Sequence, residues 1–338
     1  MDFFIGSYTR MGGPGVGKCR LEDNRLSLLE SDPLPNSTYV IYNRAQDKLF
    51  AICSDPVAAA EGGSVASYDI SGGQLRRISR QDTLGGGPCH LVLDETERFL
   101  YTANYFTGSV SVFAVGEGGE LSPCVQHVRH TGHSVHPERQ TGPHAHQVSF
   151  IPGTRLLCVV DLGLDALMVY QPDEKTGELT LYSRSQVPGG LGPRHLIYAK
   201  NGLTYLACEV ASQAAVLRWN GKEFQVLQVL PTLPEDFTGK NTASAIRLTS
   251  DETQLLISNR GHDSIAVYRI GGEGLLTLES ILKTGDDFPR DFALVDDDTL
   301  LIGHQNGQLT LARRTETALE TIGALDVKGC VCVALPRR

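Results

Sequence analysis

Arginines, histidines and an aspartate recur at equivalent places in several segments of this sequence. Each of them directly follows a short turn that precedes an apolar run. The turns read GPCH at 87–90, GPHAH at 142–146, GPRH at 192–195, NTASAIR at 241–247 and FPRDF at 288–292. The candidate binding residues that follow them are His90, His144, His146, Arg194, His195, Arg290 and Asp291. Arginine binds phosphates and carboxylates through paired hydrogen bonds, and histidine transfers protons near neutral pH. Around one opening, such side chains could bind an anion and catalyse hydrolysis.

Two further candidates close apolar runs of their own. Glu209 ends the run YLACE, and Arg260 ends the run LLISNR. We expect both side chains to approach the opening that the turn residues surround. A structural alternative applies to each residue of the set, because polar groups at such positions also hydrate channels and cap turns.

These candidates lie on an internal repeat. The stretch FLYTANYFTGSVSVFAV (99–115) predicts two short β-strands joined by a Gly-containing turn. Similar stretches recur at 49–55, 156–170, 205–219, 255–270 and 300–312. The polar residues that end their first strands are Ser54, Asn104, Asp161, Glu209, Asn259 and His304, at intervals of 45 to 57 residues. A repeat of about fifty residues with short strands and no helical periodicity is typical of a β-propeller.

The repeats predict six internal blades, at 35–82, 85–132, 141–188, 192–231, 241–285 and 288–322. Neither end of the chain holds a complete repeat, but strand-like segments occur at 3–9 and 330–335. We therefore predict an all-β fold in one domain, residues 1–338: a seven-bladed β-propeller closed by pairing of the N- and C-terminal strands. The non-periodic segments 128–142 and 231–240 should lie at one mouth of the ring, where loops carry function.

Composition narrows the function classes. The formal net charge of -9 argues against nucleic-acid binding and against a polybasic membrane surface. No apolar run approaches the ~20 residues of a membrane-spanning helix, and the N-terminus does not resemble a signal peptide. The eight cysteines show no CxxC spacing, which favours free thiols. We expect a cytoplasmic protein, as a monomer or weak homo-oligomer, whose partner is a small molecule.

Six of the ten histidines lie between His127 and His146, so a metal site has to be considered. The first four occur at every third residue of a segment rich in Gly, Ser and Pro. No carboxylate or thiol stands at a spacing that would complete a tetrahedral site, so we expect neither a metal nor a cofactor. The sequence also lacks the GxSxG and GxxxxGK[ST] motifs of serine hydrolases and phosphate-binding loops.

Several longer motifs resemble those of a known family. They are HPERQTGPHAH (136–146), VVDLGLD (159–165), GPRH (192–195), NTASAIR (241–247), SNRGHDSIAVY (258–268) and FPRDFAL (288–294). Together they are similar to the seven-bladed lactonase family, which includes propeller-type 6-phosphogluconolactonases and is related to fungal carboxymuconate-lactonising enzymes. The resemblance covers nearly the whole chain. It implies a metal-free cytoplasmic enzyme of the pentose phosphate pathway that hydrolyses 6-phosphogluconolactone, a sugar-phosphate lactone.

The resemblance also implies the site residues His146, Arg194, Glu209 and Arg260. His144 stands beside His146, and two residues apart on an extended strand would face the same side, so the spacing does not choose between them. We expect Arg194 and Arg260 to bind anionic groups and the developing oxyanion, with Glu209 or His146 as the general base. Two alternatives are a carboxymuconate-type lactonising reaction and a non-catalytic binding scaffold.

Overall fold

The computed structural model describes residues 1–55 and 62–337, and these form seven four-stranded antiparallel sheets arranged around a central axis. Each sheet is one blade of a seven-bladed β-propeller, which confirms the predicted fold class. A single 3-10 turn, Thr9–Met11, is the helical element of the described residues. No helix in these residues is long and apolar enough to cross a membrane.

The first three strands of the chain belong to the blade that closes the ring, and the next eight form blades 1 and 2. Those of the closing blade are β1 (Asp2–Ser7), β2 (Val16–Glu22) and β3 (Arg25–Asp32). Blade 1 contains β4 (Val40–Tyr42), β5 (Lys48–Cys53), β6 (Ser64–Asp69) and β7 (Arg76–Asp82). Blade 2 contains β8 (Pro88–Leu93), β9 (Phe99–Asn104), β10 (Ser109–Ala114) and β11 (Gln126–Arg129).

Blades 3 to 6 follow in sequence order, and the last strand returns to the closing blade. Blade 3 contains β12 (Ala145–Phe150), β13 (Leu157–Asp161), β14 (Ala166–Pro172) and β15 (Leu179–Gln186). Blade 4 contains β16 (Pro193–Tyr198), β17 (Leu203–Cys208), β18 (Gln213–Trp219) and β19 (Phe224–Pro231). Blade 5 contains β20 (Thr242–Leu248), β21 (Gln254–Arg260), β22 (Ser264–Ile270) and β23 (Leu276–Lys283). Blade 6 contains β24 (Pro289–Asp296), β25 (Thr299–His304), β26 (Leu309–Arg314) and β27 (Leu319–Leu325), and blade 7 adds β28 (Cys330–Ala334) to β1–β3.

Within a blade, burial explains the sequence of each strand. The second strand is covered on both faces by neighbouring blades, so β9 and β17 are buried at every residue. The outermost strand has one face toward solvent, and β15 accordingly mixes buried and exposed residues. This is why the apolar runs that defined the repeat are second and third strands.

The hydrophobic core is divided among the blade interfaces. Seven apolar clusters each join two neighbouring blades, and the fully buried tyrosines Tyr68, Tyr101, Tyr205 and Tyr268 lie among them. The cluster that closes the ring joins Phe4 and Cys332 of blade 7 to Val40 and Leu49 of blade 1. Because each blade buries its faces only against its neighbours, the ring must close to complete the core.

Closure occurs between the two ends of the chain, as predicted. Strand β28 is the innermost strand of blade 7 and pairs antiparallel with β1, with Ile5 opposite Val333. The C-terminal strand therefore lines the axis, and the N-terminus supplies the three outer strands. The one boundary that differs appreciably is blade 6, which continues to Leu325 instead of ending at 322.

Candidate active site

The inner strands carry a repeated irregularity where they begin. In five of them the pairing with the second strand skips one residue, which leaves Cys89, His146, Arg194, Arg290 and Val331 without a partner across the ladder. A bulge of this kind turns a side chain away from its regular direction and is common beside active sites. It allows consecutive residues, such as Arg194 and His195, to be buried together beside the axis.

A second set of residues surrounds the same mouth of the ring. Each blade contributes the residue at which its second strand ends or the one after it. These residues, which we call the mouth ring, are Tyr8, Ser54, Tyr105, Leu162, Glu209, Arg260 and Gln305. Glu209 and Arg260 thus occupy equivalent positions in neighbouring blades, and both predicted residues reach the mouth.

The repeats were aligned in the sequence on the first polar residue after each apolar run. In the structure these polar residues occupy two different positions at the end of the second strand. Cys208 pairs with Pro193 as Asn104 pairs with Pro88, so Glu209 lies one residue beyond the position of Asn104. The residues at the earlier position are Asn104, Asp161, Asn259 and His304, and their side chains bond residues of their own blade or residues that follow the last strand of the preceding blade. Asn104, for example, donates to Ser109 and Ser111. For these residues the structural interpretation of a polar strand end is correct.

Glu209 is the centre of the candidate active site. Its buried carboxylate forms ion pairs at Oε2 with Arg260 Nη2, 2.7 Å away, and with Arg194 Nε, 2.9 Å away. The Arg194 contact is an ion pair that lies off the axis of a hydrogen bond. Arg139 binds the other oxygen, Oε1. His146 Nε2 lies 3.9 Å from Oε2. The four residues implied by the resemblance therefore meet around one carboxylate.

The charges of this cluster are strongly coupled. Burial by itself would raise the pKa of Glu209, but Arg260, Arg194 and Arg139 outweigh burial and hold it well below the usual value. Burial and the nearby Arg260 lower the pKa of Arg194 to about 9, so it is charged at neutral pH. Arg290 also acts on Arg194 and Arg260 electrostatically. Three arginines thus contact one carboxylate and a fourth acts on two of them, so the cluster has an excess of positive charge.

His146 is neutral in this environment. It is buried, and burial together with Arg194 holds its pKa well below the usual histidine value. The Nε2 atom faces the Glu209 carboxylate, which favours the tautomer with the proton on Nε2. The Nδ1 atom is also buried and has no hydrogen-bond partner among residues 1–55 and 62–337. A free imidazole lone pair is therefore available inside the site.

Three more aromatic rings continue from His146 along the channel. His195 contacts His146 edge to face, with ring centres 5.1 Å apart, and contacts His90 in the same way at 5.4 Å. Tyr39 lies 4.2 Å from His90. Burial, followed by the charge of Arg194, holds the pKa of His195 well below its usual value and lowers that of His90 to about 3. The two predicted histidines therefore line the channel as neutral rings, outside contact with Glu209.

The remaining predicted residues lie apart from Glu209. His144 precedes β12 and stacks on Tyr105, with ring centres 4.4 Å apart, while its Nδ1 bonds the Tyr105 carbonyl at 2.9 Å. Its side chain thus lies beside the mouth, whereas His146 is buried at the bulge. Arg290 is half-buried, with its Nη1 3.3 Å from Gln305 Oε1.

Asp291 belongs to a separate ion pair inside the ring. It accepts from Arg247 Nη2 at 2.6 Å and from the backbone N–H of Val333 at 2.9 Å. Arg247 is on β20 of blade 5 and Val333 is on the closing strand β28, so this carboxylate of blade 6 ties three blades together. The geometry gives Asp291 a structural environment, and it lines a small central cavity together with Arg194 and Arg290.

The sequence reasoning missed Arg139 and Arg247. Arg139 lies in the loop 130–144 that connects β11 with β12, one of the two segments expected at the mouth. The available signal was its place in HPERQTGPHAH, the motif that also holds His144 and His146. Arg247 also follows a turn, in NTASAIR, but it lies two positions beyond the place of Asp291 and His90. It faces Leu256 across the ladder, as Ala293 faces Leu301 in the next blade.

The histidine-rich segment has other roles. His130 bonds Asp161 at 2.6 Å, His127 bonds Ser109 at 2.8 Å, and His136 Nδ1 accepts backbone N–H groups from Glu138 and Arg139. Within the described parts of the chain, no group of three or more His, Cys, Asp or Glu side chains is arranged to hold a metal ion. All eight cysteines are free thiols.

A cavity of about 680 Å³ opens at the opposite mouth, around the β8–β9 and β12–β13 turns. Tyr39 and His90 line its inner end, but Glu209 and its arginines do not contribute to it. Size alone would favour this cavity as the binding site. The convergence of charged, buried side chains favours the Glu209 mouth instead, because perturbed ionisable groups concentrate at functional sites.

Comparison with known proteins agrees with this architecture. Residues 2–335 match the family model described as lactonase, 7-bladed beta-propeller. The chain is 34% identical to the 6-phosphogluconolactonase of Bacillus subtilis (strain 168) over 345 residues, covering 98% of this chain and 97% of that protein.

Two solved structures extend the similarity. A protein from Lactobacillus plantarum superposes with a TM-score of 0.90 at 30% identity, covering 100% of both chains. The periplasmic gluconolactonase of Pseudomonas aeruginosa superposes with a TM-score of 0.89 at 28% identity, covering 99% of both.

Proposed function

The chain belongs to the lactonase family of seven-bladed β-propellers, and we propose that it hydrolyses 6-phosphoglucono-δ-lactone to 6-phosphogluconate. The similarity to the Bacillus subtilis 6-phosphogluconolactonase supports this substrate. The observation that carries the proposal is the Glu209 carboxylate held by Arg139, Arg194 and Arg260 at one mouth of the ring.

The charge of the site suits an anionic substrate. Arg139, Arg194, Arg260 and Arg290 supply four positive charges against the single charge of Glu209, because His146 is neutral. A sugar phosphate brings about two negative charges, and a carbonyl oxygen develops another when water attacks a lactone. Arginine suits both groups because its planar fork donates two parallel hydrogen bonds.

His146 serves as the general base in this proposal. Both oxygens of Glu209 are already bound by arginines, whereas His146 Nδ1 has a free lone pair. A water on Nδ1 would give it the partner it lacks and would be positioned to attack the lactone carbonyl. The negative charge of Glu209, 3.9 Å from Nε2, would stabilise the imidazolium that forms.

The reaction then proceeds in two steps. Water adds to the carbonyl carbon and gives its proton to His146, while Arg194 and Arg260 stabilise the oxyanion. The oxyanion collapses, the bond from the carbonyl carbon to the ring oxygen breaks, and His146 returns the proton to that oxygen. The product is an open-chain acid, which releases one proton at neutral pH. No step needs a protein nucleophile or a metal, so we propose a metal-independent enzyme.

The proposed setting is the pentose phosphate pathway in the cytoplasm. Eight free thiols favour a reducing compartment. We propose a monomer or weak homo-oligomer, because the closed ring leaves no blade edge that needs a second copy. The Pseudomonas aeruginosa gluconolactonase makes the unphosphorylated lactone the second candidate substrate.

Acid release from freshly prepared 6-phosphoglucono-δ-lactone tests the proposal, with spontaneous hydrolysis subtracted and with glucono-δ-lactone in parallel. We expect turnover that a chelator does not change and that is weaker on the unphosphorylated lactone. Equal turnover of both lactones would favour the second candidate. Turnover abolished by the chelator would overturn metal independence. No turnover of either lactone would favour a carboxymuconate-type reaction, which a muconate substrate would reveal, or a binding scaffold.

A further inference from the structure

Arg139 differs from the other two arginines on Glu209. Its side chain is 33% exposed, compared with 5% for both Arg194 and Arg260. The inner arginines extend from strands, whereas Arg139 extends from the loop 130–144. This arginine therefore covers the carboxylate from the solvent side.

The backbone of Arg139 is fixed although its side chain is exposed. Its N–H and that of Glu138 are held by His136 Nδ1, at 3.1 and 3.2 Å. The next residue, Gln140, is fully buried and donates to the Leu162 carbonyl at 2.8 Å. A rigid loop thus presents a flexible, half-exposed guanidinium at the mouth.

The guanidinium makes contacts that an incoming anion could replace. Besides Glu209 Oε1, it bonds the Tyr105 hydroxyl at 3.3 Å. Glu209 would not be left unpaired without Arg139, since Arg194 and Arg260 remain on Oε2. A phosphate dianion at the mouth offers more negative charge and two oxygens in the geometry that arginine binds best.

We propose that Arg139 is the residue that recognises the phosphate of the substrate, and that it exchanges Glu209 Oε1 for that phosphate when the substrate binds. This inference rests on the proposed function and goes beyond it, because it names the determinant of substrate choice. It also implies that phosphate binding raises the catalytic rate in addition to the affinity for the substrate.

The consequence concerns His146. When Arg139 leaves Oε1, the charge of Glu209 is less compensated at a carboxylate that lies 3.9 Å from His146 Nε2. A less compensated carboxylate stabilises the imidazolium better, so the base becomes stronger in the step where it accepts a proton. An unphosphorylated lactone leaves Arg139 on Glu209. Phosphate should therefore raise kcat and not merely lower KM.

Inorganic phosphate supplied separately tests this exchange. The probe reaction is hydrolysis of glucono-δ-lactone with increasing inorganic phosphate at constant pH and ionic strength, with the enzyme-free rate at each concentration subtracted. We expect phosphate to raise the wild-type kcat by roughly 5- to 150-fold, the size that coupling between two binding sites usually has.

Arg139→Gln is the decisive variant. It should hydrolyse glucono-δ-lactone faster than the wild type does without phosphate, and added phosphate should no longer accelerate it. Its preference for the phosphorylated lactone should fall by about the factor that phosphate adds in the wild type. Arg129→Gln removes an exposed arginine ten positions earlier and should respond to phosphate like the wild type.

The outcomes separate this inference from the proposed function. A wild type that hydrolyses both lactones but is unaffected or inhibited by phosphate would overturn the exchange and leave the lactonase standing. Loss of activity in Arg139→Gln on both lactones by the same factor would assign Arg139 a general structural role and also overturn it. A wild type inactive on both lactones would overturn the proposed function itself.

Discussion

Arg260 Nη2 lies 2.7 Å from Glu209 Oε2 in an ion pair, and the two residues occupy equivalent positions in neighbouring blades. The propeller converts a separation of about fifty residues in sequence into a direct contact at the mouth. The bulge at Arg194 brings a second cation to the same oxygen from the inner strand of blade 4. An inner strand thus supplies the cation Arg194, and the ends of two second strands supply the anion Glu209 and the cation Arg260.

Glu209→Gln removes the one negative charge from this cluster. We expect the free energy of unfolding to fall by about 3–5 kcal/mol, because breaking a buried ion pair leaves its partners uncompensated. The pKa of Glu209 is lowered in the folded state, so its contribution is present above pH ~4.5 and disappears as the pH falls through the folded value. Urea denaturation at pH 7 and at more acidic pH measures both effects.

The exposed Glu223 provides the control for that variant. Glu223→Gln should change stability by less than about 0.5 kcal/mol at every pH. A Glu209→Gln protein as stable as the wild type at pH 7 would contradict the assigned ion pairs.

Arg260→Lys tests oxyanion stabilisation with the charge retained. Lysine lacks the planar fork, so it cannot donate to Glu209 and to an oxyanion in the same geometry. We expect kcat for the phosphorylated lactone to fall by roughly 10²–10³-fold, the usual cost of one oxyanion donor. Steady-state kinetics at saturating substrate measure this. An unchanged kcat with a raised KM would instead assign Arg260 to ground-state binding.

Sequence reasoning predicted the blades because each second strand is a continuous apolar run between two neighbours. It also predicted that Glu209 and Arg260 approach one mouth. It could not place them in register, because Cys208 is buried like an apolar residue and the first polar residue of that repeat comes one position late. Polarity marks the end of a strand less accurately than backbone pairing does.

The same limit applies to the histidines. An ideal strand would place His144 and His146 on one face, but the bulge at His146 and the start of β12 after His144 separate them. Arg139 was missed because its role depends on loop geometry, which carries no periodic signal. Side chains on regular strands could be predicted, whereas those on bulges and loops required coordinates.

Asp291→Asn should weaken ring closure. Asp291 accepts from Arg247 and from Val333 on β28, so the variant leaves the half-buried Arg247 without its counter-charge. We expect the free energy of unfolding to fall by about 3 kcal/mol. Chemical denaturation measures the loss, and proteolysis that releases the C-terminal strand earlier than in the wild type would localise it to β28. Asp297→Asn, at a half-exposed turn on the same β24–β25 hairpin, is the control, and an equal loss there would contradict the special role of Asp291.

Buried neutral histidines should make the protein sensitive to acid. His90, His146 and His195 all have lowered pKa values, with burial as the first cause. Below pH ~6.5 the unfolded chain binds protons at these residues while the folded protein does not, so stability falls as the pH falls. Near pH 5 these three residues should contribute about 4 kcal/mol per pH unit to the loss, because each histidine contributes about 1.4 kcal/mol. Urea denaturation between pH 7 and pH 5 gives the slope, and His90→Gln should reduce it by about 1.4 kcal/mol per pH unit whatever its effect on stability at pH 7. A slope that His90→Gln leaves unchanged would mean that this ring is protonated inside the folded channel, and would contradict a line of neutral histidines between Glu209 and the opposite mouth.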